Sequence, residues 1–257
     1  MTITNHRPSI RTAGSLSRAG ALSEYRSPVS RAAAVLVPLT LLGALALLAW
    51  VVTRDDDPQL ADLALVGARG PQCVRVVIAS DVSGSMQDAA SARDSAIGTL
   101  LTWLPGNLRP DDEVAALAFA AVVGPVTGPA TIDALARSPF TVPGTVADGT
   151  DTVWRPVLTA VRALPASPCS TSLLVVSDAQ LNPLPTDAGA AREQLTAAGV
   201  DDLHLLVPSD DLDVPDGWND LYPYAPPVRF DGTDRDETAR ALAQTVADIT
   251  GQQLRHR

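Results

Sequence analysis

From residue 73 onward, short apolar runs alternate with stripes of apolar residues at helical spacing, and this alternation restricts the fold more than any other feature. The run 74–79 (VRVVIA) ends at Ser80-Asp81, and Ile97, Leu100, Leu101 and Leu104 form a helical stripe behind it. Residues 113–123 (EVAALAFAAVV) read either as one strand or as two separated by a tight turn. Trp154, Val157, Leu158, Val161 and Leu164 mark a second helix, and the run 172–177 (SLLVVS) ends at Asp178. A helix over 187–198 and a strand over 202–207 (DLHLLV) follow. The last helix has its own punctuation: Asp234 and Glu237 suit a capping box, Leu242, Val246 and Ile249 make its stripe, and Gly251 stops it. Strands separated by helices predict an α/β domain with a doubly wound, mostly parallel sheet flanked by helices.

Ahead of that domain, residues 32–52 (AAAVLVPLTLLGALALLAWVV) carry no charge. At about 1.5 Å per residue such a run crosses a hydrocarbon core about 30 Å thick. Arg31 and Arg54 bracket it, Trp50 sits near one end where an indole favours the interface, and Pro38 is tolerated in a membrane helix. Residues 1–31 hold five arginines against Glu24, whereas residues 55–257 hold thirteen arginines against twenty-eight acids, a net charge of −15. The arginine-rich end is therefore expected in the cytoplasm and the acidic domain outside. The alternative is a cleaved signal peptide with Ala44-Leu45-Ala46 at its cleavage site, but the apolar run continues past that point as LLAWVV. Both readings place the domain on the exterior.

The expected organisation is a basic cytoplasmic tail (1–31), a single transmembrane helix (32–52), a linker (53–72) and the acidic α/β domain (73–257). A domain this acidic excludes nucleic acid as its partner, because phosphate binding needs clustered cations.

Open α/β sheets bind ligands at the carboxyl ends of their strands. There the sequence places Asp81-Val82-Ser83-Gly84-Ser85-Met86. Alternate residues project to one side, so Asp81, Ser83 and Ser85 aim a carboxylate and two hydroxyls at a common point, and Gly84 is expected to let the backbone curl around it. Hard oxygen donors suit magnesium, manganese or calcium. The plainer alternative is a strand-to-helix turn in which Ser85 caps the next helix.

The hexapeptide resembles the metal-ion-dependent adhesion site of the von Willebrand factor type A family, residue for residue. That resemblance implies two further ligands: a threonine before the third helix, matched by Thr150 ahead of Trp154, and an aspartate ending a strand, matched by Asp178. It covers roughly residues 73–251. Ala179 departs from it, since the family often has glycine after the last aspartate, and residues 208–230 match no part of its pattern.

Function, by the same resemblance, is metal-dependent adhesion or protein-partner binding: the cation, magnesium (or manganese or calcium), takes an acidic side chain from a protein partner. The competing reading is a scaffold subunit of a membrane-associated assembly. Enzyme activity is not expected. A metal-assisted hydrolase needs a base near Ser85, the sequence has no Gly-x-Ser-x-Gly elbow, His6 and His256 fall in terminal tails, and His204 falls mid-strand.

Cys73 and Cys169 lie eight and nine residues before Asp81 and Asp178. Their strands are neighbours in a sheet of this family's type, so a disulfide is expected, with two buried thiols as the alternative. Trp218, Tyr222 and Tyr224, in an acidic stretch after strand 202–207, are candidate partner-binding aromatics. Otherwise they tuck beneath their own loop while the acids are solvated.

Overall fold

The computed structural model describes residues 59–142 and 144–257. The basic tail, the 32–52 span and the start of the linker lie outside the described residues. Among the described residues, no helix is long and apolar enough to cross a membrane.

The strands are β1 (Leu63–Val66), β2 (Val74–Asp81), β3 (Glu113–Phe119), β4 (Thr127–Thr131), β5 (Ser170–Val176), β6 (Asp202–Val207), β7 (Val228–Arg229) and β8 (Gln253–His256). Six of these form a sheet in the order β4-β3-β2-β5-β6-β7. All neighbours in it are parallel except β4, which runs antiparallel to β3 at one edge. The ambiguous run 113–123 resolves as β3 plus a turn in which Phe119 bridges Val123.

The helices are α1 (Ala90–Trp103), α2 (Ile132–Arg137), α3 (Trp154–Arg162), α4 (Ala188–Ala197), α5 (Trp218–Leu221) and α6 (Arg235–Thr250). Every residue of β2 is buried, because helices cover both faces of the sheet. This is why the strand reads as a continuous apolar run rather than an alternating one. Val76 and Ile78 face Ile97 and Leu100 of α1 and Leu242 and Val246 of α6. Val77 and Ala79 face Trp154, Val157 and Val161 of α3 and Leu195 of α4. Each such large side chain contributes about 1.5–3 kcal/mol through the apolar area removed from water.

Helix α6 starts and stops where its sequence signals stand. The Asp234 side chain accepts from the backbone N–H groups of Asp236 and Glu237, and Gly251 closes the helix in the left-handed region at φ 69°. Glu237 reaches back to the N–H of Asp231 rather than to that of Asp234, so only half of the capping box forms.

Two expectations are corrected here. Residues 60–66 are not a tether. Leu60 and Leu63 are buried against α1 and α6, and β1 pairs antiparallel with β8, placing Leu63 opposite His256. His256 therefore sits in a strand, not in a terminal tail. The Trp103 indole N–H donates to the Leu63 carbonyl at 2.9 Å. Local pattern misses this ribbon because its two strands come from opposite ends of the domain.

The second correction concerns the aromatics. Trp218 and Tyr222 are both 0% exposed and belong to the core on the α3–α4 face. The Trp218 indole donates to the Ala225 carbonyl at 2.8 Å, and burial pushes the Tyr222 hydroxyl up to about 12. Apolar area outweighed the polar context of their loop. Tyr224 alone stays exposed, with the Arg192 guanidinium 5.0 Å from its ring centre.

The amino ends of the strands are tied together. A disulfide joins Cys73 to Cys169, whose Cα atoms are 4.7 Å apart. Arg75 pairs with Glu113 across β2 and β3. Asp112, fully buried, accepts from the Arg69 guanidinium and from the N–H groups of Val74 and Arg109.

Candidate metal centre

At the carboxyl ends of the same strands the register sets Ser80 beside Val176, so the chain leaves β2 and β5 with Asp81 next to Ser177 and Asp178. Asp81 is held on both oxygens. Its Oδ1 accepts from the Ser83 N–H at 2.9 Å, and its Oδ2 accepts from the Ser177 hydroxyl at 2.6 Å. Beyond it the backbone makes a single 3-10 turn over Gly84–Met86. That turn brings the Ser83 and Ser85 hydroxyls within 3.2 Å of each other. Gly84 itself is not needed for the curl: a Cβ there would meet nothing within 4 Å.

Asp178 is buried and its Oδ1 accepts from the Gln180 N–H at 3.0 Å. Ala179 between them adopts φ 60°, the left-handed region. The conformation that glycine reaches freely is thus kept with alanine, at a cost of about 1–2 kcal/mol. The Ser177 hydroxyl accepts from the Ala179 N–H at 3.0 Å and braces that turn.

Burial pushes the Asp81 carboxyl above its ordinary range and the Asp178 carboxylate adds to the push, while hydrogen bonds from Ser177 and Ser83 oppose it. Among the described residues, no arginine or histidine forms an ion pair with Asp81 or Asp178. Two carboxylates crowded together in this way, flanked by hydroxyls, fit a hard divalent cation. No cluster of three or more His, Cys, Asp or Glu side chains is gathered among the described residues, so the hydroxyls are essential to any such site. Magnesium, manganese or calcium would be held by Asp81, Ser83, Ser85 and Asp178, and would supply an electrophilic centre for an acidic group.

Thr150 makes no hydrogen bond to Asp81, Ser83, Ser85 or Asp178. Its loop does close over the first one, since the Gly84 N–H donates to the Gly149 carbonyl at 3.1 Å. The Thr150 hydroxyl, however, donates to Asp148 at 2.6 Å, a bond that holds the Asp148 carboxyl below the usual range.

Sequence reasoning missed three residues here: Ser177, Asp148 and Arg93. Ser177 was legible in principle as a hydroxyl directly before the strand-ending aspartate. Arg93 was legible as a charge at helical spacing from Ile97 and Leu100.

His204 offers no base to the site, being paired instead with Asp202 at 2.7 Å, which lowers the Asp202 carboxyl.

Neither a protein-family model nor a curated protein matches the chain. Solved von Willebrand factor type A structures are similar to it. One, from Catenulispora acidiphila, is 14% identical, with 77% of this chain and 52% of that one covered at a TM-score of 0.49. An aerotolerance-related membrane protein from Bacteroides fragilis is 20% identical, with 69% and 98% covered at a TM-score of 0.44. Proximal thread matrix protein 1 from the mussel byssus, solved with zinc in its MIDAS motif, is 15% identical, with 69% and 48% covered at a TM-score of 0.44.

Proposed function

We propose that this chain carries a von Willebrand factor type A domain that binds a divalent cation and, through it, an acidic side chain of a protein partner. The observation that carries the reading is that Asp81 and Asp178 leave adjacent strands close enough to repel each other, with the paired Ser83 and Ser85 hydroxyls in the turn beyond Asp81. In this reading the Thr150 hydroxyl, donating its proton to Asp148, offers an oxygen lone pair to the cation. Magnesium is the expected ion, with manganese or calcium as substitutes, because two carboxylates and neutral hydroxyls leave positions for water and for a partner's carboxylate.

The domain works outside the cell, tethered by the uncharged run 32–52 with the arginine-rich residues 1–31 in the cytoplasm. Binding rather than catalysis is its role: of the described histidines, neither His204 nor His256 approaches Ser85 as a base.

Differential scanning of the wild type and Asp81→Ala with and without magnesium tests the reading. The wild type is expected to gain thermal stability that a chelator reverses, and the variant to fold but show no gain. An equal shift in both proteins removes Asp81 from the site. Capture of an external protein ligand by the wild type, lost on chelation, then separates adhesion from a scaffold role among membrane proteins.

A further inference from the structure

Helix α1 carries a charge in a place where charges are rarely found. Arg93 lies on the stripe that includes Ile97 and Leu100, and its side chain is 1% exposed. Burying a guanidinium is costly unless its donors are used, so its partners show what it is for. Nη1 donates to the backbone carbonyl of Asp81 at 2.5 Å. Nε donates to Asp94 Oδ1 at 2.9 Å, and Nη2 lies 2.9 Å from the same oxygen as an ion pair. Nη2 makes no hydrogen bond of its own.

Asp94 extends the connection. Its Oδ2 stands 2.6 Å from the point a Cβ on residue 144 would occupy, so only glycine fits there without moving the carboxylate. Gly144 opens the stretch that runs to Thr150, and the far end of that stretch is fastened to Gly84 through the Gly149 carbonyl. A single planar guanidinium thus bridges the Asp81 carbonyl and Asp94, whose carboxylate packs against Gly144 at the start of the loop that carries Thr150. Lysine offers no such fork: an ammonium reaches one of these acceptors but cannot bracket both.

We propose that Arg93 is a positioning residue for the cation, setting the separation between the 81–85 loop and the 144–150 loop through the Asp81 carbonyl and Asp94. This inference rests on the metal-binding reading of the site. It differs from a purely structural role, in which the buried guanidinium only fills the space between α1 and the sheet. A filler changes stability and leaves the affinity of the folded protein alone.

The test titrates manganese into the full chain as wild type, Arg93→Lys, Arg93→Met and Gly144→Ala, at a temperature where circular dichroism shows each protein folded. Arg93→Met is expected to bind at least about tenfold more weakly, the scale on which outer-shell partners act. Arg93→Lys should fall between it and the wild type. Gly144→Ala, which leaves Arg93 in place but displaces Asp94, should also weaken binding, and the electron paramagnetic resonance spectrum of bound manganese should broaden in both. If Arg93→Met does not fold, Arg93→Lys and Gly144→Ala decide the matter. Wild-type affinity and an unchanged spectrum in these two overturn the role of Arg93 while leaving the site standing. A wild type that takes up no manganese overturns both.

Discussion

The two ends of strands β2 and β5 treat acidic residues in opposite ways. At the amino ends Asp112 and Glu113 are matched with Arg69 and Arg75, and the strands are bridged by Cys73–Cys169. At the carboxyl ends Asp81 and Asp178 are brought together with no cationic side chain paired to either among the described residues. Arg93 lies close by, yet its hydrogen bonds go to the Asp81 backbone carbonyl and to Asp94. One end therefore stabilises the fold, and the other holds a charge imbalance that the fold must tolerate. An acid supplied with a partner is structural.

The comparison breaks most visibly at Asp112. Asp112→Asn should lower the unfolding free energy by about 3–5 kcal/mol, because it leaves Arg69 buried beside a neutral group. Urea denaturation measures this, and a loss below about 1 kcal/mol means the amino end is not the anchor described. Removing the bridge with Cys73→Ala and Cys169→Ala together should cost about 2–4 kcal/mol, since the unfolded chain is freed from a long closed loop. The magnesium-dependent rise in melting temperature should survive both changes in the folded protein.

Asp81→Asn, the same chemical change at the other end, is expected to leave metal-free stability far less affected. Relief of burial and of repulsion from Asp178 is offset by the loss of one of the two acceptors that hold Ser83 and Ser177, so the protein should stay folded while the magnesium shift vanishes. Destabilisation comparable to that of Asp112→Asn would mean the two ends are alike. The smallest effect belongs to Tyr224→Ala. That side chain is half exposed and is engaged with Arg192, so a change below about 1 kcal/mol is expected in the same denaturation assay.

Much of this was legible in the sequence where a single element carries its own signal. β2 and β5 announced themselves as buried runs ending in aspartate, and α6 by its cap and stop. The ribbon of β1 and β8 was not legible, because Leu63 finds His256 only once the whole domain has closed. Trp218 and Tyr222 looked like loop aromatics among acids. Only their docking against α3 and α4 shows that they are core. Thr150 was placed by resemblance, and its bond to Asp148 depends on a local turn that spacing does not encode. Ala179 stood out as a departure, and the structure gives that departure a physical form in its left-handed backbone.

The disulfide also decides how the domain carries mechanical load. Tension entering at Gln59 first meets β1, a four-residue strand that can be stripped from β8. The released chain from residue 60 to 68 then spans about 30 Å at most before the Arg69–Asp112 ion pair holds it. Four residues further on stands Cys73, where the bridge divides any remaining force between β2 and β5. Both strands end at the site, one at Asp81 and the other just before Ser177 and Asp178, so the two carboxylates are pulled as one body. Without the bridge the load would enter the sheet through β2 and reach β3 and β5 only through their backbone ladders. A domain built this way can be hauled upon from its N-terminal side while Asp81 and Asp178 keep their spacing.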